Sequence, residues 1–253
     1  MKSIPRLAAT LLAASVLMLP SGCRSASTPA SSASSPENEL YTENAPDGTV
    51  VLQITADSPD VASYVTEEAA QAIQTYYDEL YAAETEQWQL ELADFAREEY
   101  AQSQEQNQVF RPYAIEEHYS IVRNDDTYLC IQRIRQSYTG GAQEEEQVFC
   151  ENFYKKDGSL VALADLFQPD IDYTSTLLSL LSEELDQRMQ AGEITYEADA
   201  KENLKQGLTD GHFSLTEDSL VFVYPCYTLA PYAAGPQFFE IPFTALEGLL
   251  CTS

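Results

Sequence analysis

YAIEEHYSIVR (residues 113–123), TYLCIQRIRQSY (127–138) and QVFCENFY (147–154) are three runs rich in β-branched and aromatic side chains, and their reading decides the fold. Turn residues separate them, Asn124-Asp125-Asp126 before the second run and Thr139-Gly140-Gly141-Ala142 before the third. Gaps this short join antiparallel neighbours, so the runs predict a meander. Upstream, TVVLQIT (49–55) reads as a further strand. It is followed by Ser58-Pro59-Asp60, which predicts a helix start. From there Val61, Val65, Ala69, Ala72, Ile73, Tyr76, Leu80 and Tyr81 recur at spacings of three and four. The pattern resumes through Trp88, Leu92 and Phe95, so one long helix or two abutting ones run to about Gln104. Downstream, Lys156-Asp157-Gly158 is a tight turn. The stretch from Ile171 to Gln190 carries Leu177, Leu178, Leu181 and Leu185 and predicts a second amphipathic helix ended by Gly192. A shorter helix falls within 196–206, a hairpin joins 212–215 to 219–224, and Gln237 to Ile241 forms the last strand before a short helix over 243–250 that caps the domain. The fold class is α+β, a mainly antiparallel sheet with one long N-terminal helix and a second amphipathic helix packed on it.

Residues 1–22 form a different kind of segment. Lys2 and Arg6 precede an apolar run from Leu7 to Leu19, and Pro20-Ser21-Gly22 leads into Cys23. A charged start, a short apolar core and a small-residue site read as an export signal. Cysteine directly after Ser-Gly makes this look like a bacterial lipoprotein signal, with Cys23 as the lipidated residue; Pro20 stands where such signals usually carry Leu. Residues 23–47 are rich in Ser, Ala and Pro and then acidic, which predicts a flexible tether. The folded domain is expected over 48–253, with halves 48–155 and 156–253. The expected location is the outer face of a bacterial cell membrane, reached through the lipid anchor.

Charge narrows the partners. The chain carries 13 Lys and Arg against 41 Asp and Glu, a net charge of −28. Removing residues 1–22 takes away Lys2 and Arg6 and no acid, which leaves 11 basic against 41 acidic side chains, or −30. Such a surface repels phosphate backbones, so nucleic acid is excluded as a partner, and it attracts cationic proteins with a strength that falls as salt rises.

With Cys23 set aside, four cysteines remain: Cys130, Cys150, Cys226 and Cys251. An exported chain permits disulfides. Cys130 and Cys150 are nearly equidistant from Gly140, so a cross-strand pair is expected there if a bulge or a three-residue loop intervenes, and Cys226 with Cys251 follows by elimination.

The order Tyr138-Thr139-Gly140-Gly141-Ala142, Asn152-Phe153, Asp157-Gly158, Leu163-Ala164-Asp165-Leu166-Phe167, Phe213-Ser214-Leu215-Thr216 and Leu229 to Pro236 resembles the extracytoplasmic domain shared by RsiV-type anti-sigma factors and the noncatalytic part of PdaC-type peptidoglycan deacetylases. The resemblance covers about 119–250. It implies an α+β domain outside the membrane that engages envelope material; in RsiV-type proteins this domain binds lysozyme, a basic protein. Gln143 stands where the family turn commonly continues with His. Neither a sigma-binding helix before a transmembrane span nor a catalytic domain accompanies the motifs.

No motif for chemistry appears in the chain. A metal-dependent deacetylase needs clustered ligands, whereas the two histidines, His118 and His212, fall on different predicted strands. No metal or cofactor is expected, and a nonenzymatic binding or sensing module is. Two segments offer surfaces for a ligand: the turn with Tyr138, Gly140, Gly141 and Gln143, and the loop with Tyr224, Tyr227, Tyr232 and Gly235. Tyrosines on constrained loops provide contact area at low entropy cost. The expected ligand is a cationic, lysozyme-like protein or peptidoglycan. The competing expectations are an accessory subunit of a wall-modifying enzyme and a glycan hydrolase using a carboxylate pair.

Overall fold

The structure is a computed structural model that describes residues 39–251. The export signal, Cys23 and the Ser-rich stretch to residue 38 lie outside the described residues. The tether does not extend to residue 47: Glu39–Asn44 is a strand, β1, paired antiparallel with β2 (Val50–Ala56). The turn between them explains the difference. Ala45 N–H donates to the Thr49 carbonyl at 2.8 Å and Gly48, at φ +87°, donates back to Ala45 at 2.9 Å, closing a hairpin around Pro46-Asp47-Gly48. Once paired, Tyr41 packs against the core formed by Leu52, Ile54 and Ile115.

The predicted helix start also moves. Helix α1 spans Glu67–Glu105 without a break, and Thr66 is its cap, with Oγ1 accepting from Ala69 N–H at 3.2 Å. Glu67 and Glu68 then sit in the first turn, where acids favour the positive end of the helix dipole. Residues 62–65 form a turn instead, although Val61 is buried. Beyond α1 the meander forms as expected: β3 (Tyr113–Asn124), β4 (Tyr128–Tyr138) and β5 (Glu145–Tyr154). Together the strands make a five-stranded sheet in the order β1-β2-β3-β4-β5. The sheet is antiparallel except where β2 meets β3, which are parallel because the 39-residue α1 crosses between them.

One face of this sheet lies under α1. Ile73, Tyr77 and Tyr81 of the helix pack on Leu129, Ile131 and Phe153, while Ala93 and Ala96 pack near Ile54, Tyr113 and Ile115. Between these two apolar regions the interface is ionic. Arg133, Glu117 and Glu151 are all at most 4% exposed. The Arg133 guanidinium donates through Nε to Glu151 Oε1 at 3.0 Å and through Nη1 to both Glu117 oxygens at 2.8 and 2.9 Å. Arg135 adds a bond to Glu117 at 2.5 Å and an ion pair with Glu84 of α1 at 2.6 Å. Both guanidiniums lie over the Phe149 ring, and Arg135 also lies over Trp88 at 4.4 Å. The register accounts for the meeting: Glu117 pairs with Arg135, and Arg133 pairs with Phe149, so all point to the helix side.

The other face of the sheet receives the C-terminal half. Helix α2 (Tyr173–Ala191) is capped by the Asp172 carboxylate and ends at Gly192 in the left-handed conformation, φ +71°. A one-turn helix α3 (Ala200–Asn203) precedes a three-stranded sheet of β6 (Phe213–Leu215), β7 (Ser219–Tyr224) and β8 (Gln237–Pro242) in that order. Leu177, Leu181 and Leu185 join Phe213, Phe222 and Phe239 in one core. Asn152 of β5 fastens the two sheets: its buried amide donates to the Phe213 carbonyl at 2.8 Å and accepts from Leu215 N–H at 3.3 Å. Among the described residues no helix is long and apolar enough to cross a membrane.

The expected disulfides do not form. Cys130, Cys150, Cys226 and Cys251 are all free. The β4–β5 register pairs Cys130 with Asn152 and Gln132 with Cys150, so the two thiols are diagonal neighbours offset by two residues, beyond the span of a disulfide. Cys226 and Cys251 lie in different places, the first in the loop that follows β7 and the second with its thiol on the Phe167 carbonyl. Burial pushes the Cys130 and Cys150 thiols up to about 12, which leaves them unreactive. The native protein lacking Cys23 should therefore show Cys251 reacting first with a thiol reagent, Cys226 slowly and Cys130 and Cys150 only on unfolding. Mass mapping of the alkylated digest reads this directly, and recovery of a Cys130–Cys150 peptide would contradict it.

Candidate functional site

The two segments singled out from the sequence meet at one end of the molecule. The turn after β4 and the loop between β7 and β8 are joined where the Tyr232 hydroxyl bonds the Glu144 carbonyl oxygen. Glu144 in turn pairs with Arg111, whose guanidinium lies 3.9 Å from the centre of the Tyr138 ring. Tyr138 Oη donates to the Gly141 carbonyl at 3.4 Å, holding the ring over its own turn. Tyr138, Gly141, Gln143, Tyr227, Tyr232 and Gly235 thus belong to one surface. The acids Glu144, Glu145 and Glu146 run along its edge.

Backbone conformation explains the glycines. Gly140 has φ +93°, and a Cβ there would lie 2.8 Å from Glu99 Oε2 and 2.9 Å from the Tyr113 hydroxyl. These two atoms already share a hydrogen bond of 2.7 Å, so Gly140 lets the turn rest against α1. Gly140 is therefore a packing residue rather than a contact one. Gly141 and Gly235 face open space.

Tyr224 is a correction. It is fully buried, its hydroxyl donates to the Leu204 carbonyl at 2.7 Å, and its ring fills the space beside Gly207. The alternation of β7 puts it in the core, whereas Tyr227 lies three residues further on, outside the strand. Tyr227 has φ +66°, is 63% exposed and places its ring 5.9 Å from that of Tyr232. Turning the chain through the left-handed region presents this side chain outward.

Chemistry of other kinds finds little support at this end. Burial first, then the negative Glu145 and Glu146, pushes the Cys226 thiol up, which disfavours the thiolate a nucleophile needs. The histidines are apart: His118 Nδ1 lies 2.8 Å from Asp57, while burial pushes His212 down, toward its neutral form. No group of three or more His, Cys, Asp or Glu able to hold a metal occurs among the described residues. The buried carboxylates Glu117 and Glu151 are held on guanidiniums under α1, and Glu151, which also lines a cavity of about 250 Å³ with Asp210, is 4% exposed and bonded to Arg133. The residues that sequence reasoning missed are Phe95, Val109 and Arg111. The helical stripe places Phe95 in the core, yet it is 64% exposed because Ala93 and Ala96 take the sheet-facing positions.

Residues 164–244 match the family model described as "Protein of unknown function (DUF3298)". The match takes in α2, the three-stranded sheet and the tyrosine loop. Among solved structures the chain is similar to a member of the DUF3298 family from Bacteroides fragilis, with 21% identity, 85% of this chain and 92% of that chain covered, and a TM-score of 0.53. A DUF3298 family protein from Pseudomonas aeruginosa also matches, at 18% identity over 79% of this chain and 84% of that one, with a TM-score of 0.45. No curated protein matches the chain. The DUF3298 likeness to the Bacteroides structure is one of fold. The turn at Tyr138 and the acids beside it lie outside the DUF3298 segment, so the candidate site joins a matched loop to an unmatched one.

Proposed function

We propose that this protein is an extracytoplasmic binding or sensing module, held to the outer face of a bacterial membrane through Cys23, whose ligand is a cationic protein such as a lysozyme. The observation that carries the reading is the clamp between Tyr232 and Glu144, which sets the exposed Tyr227 and the half-buried Tyr232 beside Glu144, Glu145 and Glu146. Aromatic anchors beside a run of acids suit a basic protein surface: the rings supply area, and the charge speeds encounter. The resemblance to RsiV-type domains points the same way, and the net charge of −28 adds a long-range attraction.

Soluble protein beginning after Cys23 should bind lysozyme, with affinity that falls as sodium chloride is raised. Replacing Tyr227 and Tyr232 together with alanine should weaken binding at least about tenfold, as expected for truncated aromatic anchors. Pull-down against lysozyme and against purified cell wall, over a salt series, checks this. Binding to the wall alone would reassign the ligand to peptidoglycan, and binding to neither at low salt would sink the reading.

A further inference from the structure

The C-terminal half of α1 and the segment leading into β3 enclose a groove of about 430 Å³ on the same end of the molecule. Its walls include Phe95, Glu98, Glu99, Gln102 and Val109, and Tyr113 lies at its base. Two features set it apart from an ordinary acidic helix face. First, Phe95 is 64% exposed and Val109 is 99% exposed, although each is large and apolar. Both belong to the lining, so an aromatic and an aliphatic side chain are exposed at one concavity. Second, the groove holds two carboxylates and no basic lining residue. Glu99 uses Oε2 to accept from Tyr113, which leaves Oε1 without a bonded partner among the described residues, and the exposed Glu98 side chain has no hydrogen bond or ion pair among them.

An aromatic face, an aliphatic wall and free carboxylates complement a particular side chain. Arginine has an aliphatic stem that packs on apolar surface and a planar guanidinium that both stacks on a ring and pairs with a carboxylate. Lysine matches the charge but not the plane, and a neutral aliphatic chain matches only the wall. The groove is joined to the tyrosine surface through Glu99 and Tyr113, against which Gly140 rests. We infer that this groove takes an arginine side chain of the cationic partner. The inference rests on the reading above only for the source of the arginine; the groove chemistry stands by itself.

The test uses N-acetyl-arginine methylamide, with the lysine and norleucine analogues as comparisons, at fixed ionic strength on the soluble protein. The arginine compound should shift the amide resonances of Phe95, Gln102 and Val109 saturably, the lysine compound more weakly, and the norleucine compound not at all. Phe95→Ala should abolish the response, and Glu98→Gln should weaken it severalfold; both positions are exposed, and circular dichroism would verify that the fold is kept. Absence of saturable shifts, equal binding by norleucine, or an unchanged response in Phe95→Ala overturns the inference. Lysozyme binding is then compared in wild type and Phe95→Ala. Equal affinity overturns the groove while the proposed function stands. Arginine binding without any lysozyme binding supports the groove and overturns the proposed partner.

Discussion

Replacing Arg133 with methionine is expected to destabilise the protein by about 3–5 kcal/mol, the cost of leaving a buried charge without its partner. Arg133 is 3% exposed and donates to Glu151 and Glu117 at once. Glu117 keeps Arg135 when Arg133 is lost, but Glu151 keeps nothing, since Arg133 is its one hydrogen-bonded partner and Oε2 is already unbonded. The melting temperature should fall by roughly 10 °C for a chain of this size. Combining Arg133→Met with Glu151→Leu should recover part of the loss, because replacing a whole buried pair with apolar groups costs far less than breaking it. Equal losses in the single and double variants would show that the pair contributes through packing alone.

The same carboxyl carries a pH dependence. Burial pushes Glu151 above its ordinary value of 4.5, against the opposing pull of the Arg133 charge. The native state therefore holds this proton to higher pH than the unfolded chain does. The stability contributed by Glu151 is complete below the unfolded value and is lost as pH rises through the raised native one. Wild type should accordingly lose stability relative to Glu151→Gln as pH is raised from about 4.5. The opposite trend in denaturant titrations would show that Glu151 is held ionised.

The second large effect is expected at Gly158. It ends the turn after β5 with φ +74°, and a Cβ there would lie 2.5 Å from the Ala69 carbonyl oxygen of α1 and 3.0 Å from Ala72 Cβ. The obstruction is helix backbone, which cannot swing aside as a flexible side chain would. Gly158→Ala combines about 1–2 kcal/mol of left-handed strain with about 1–3 kcal/mol of overpacking. The total is therefore about 2–5 kcal/mol. Gly141→Ala is the control, with a similar φ of +90° and nothing within 4 Å, and should cost only the conformational part. A Gly158→Ala midpoint no lower than that of Gly141→Ala would show that α1 does not press on this turn.

Much of the fold was legible because it depends on local chemistry. Alternation and turn residues between 113 and 154 gave the meander, and the leucines of α2 with Gly192 marked a helix and its end. The start of α1 was less legible, since Ser58-Pro59-Asp60 and Thr66-Glu67-Glu68 carry the same kind of signal and only the formed bond from Ala69 to Thr66 selects between them. Strand β1 was hidden by its acidic composition, although Pro46-Asp47-Gly48 signals the turn that pairs it. The cysteine pairing failed for a small reason: the β4–β5 register is centred one residue away from Gly140, which offsets two otherwise opposite thiols by two positions.

The amino-acid sequence by itself determined the α+β class, the acidic surface and the two loops that could face a ligand. It did so because periodicity, turn propensity and charge are properties of neighbouring residues. Tertiary structure alone decided that Tyr224 is core while Tyr227 is surface, that Phe95 leaves the helix stripe for a groove, and that Glu84, Glu117, Arg133, Arg135 and Glu151 converge under α1. Each of these depends on which strand lies beside which and in what register, and residues tens of positions apart become neighbours only when the sheet is assembled.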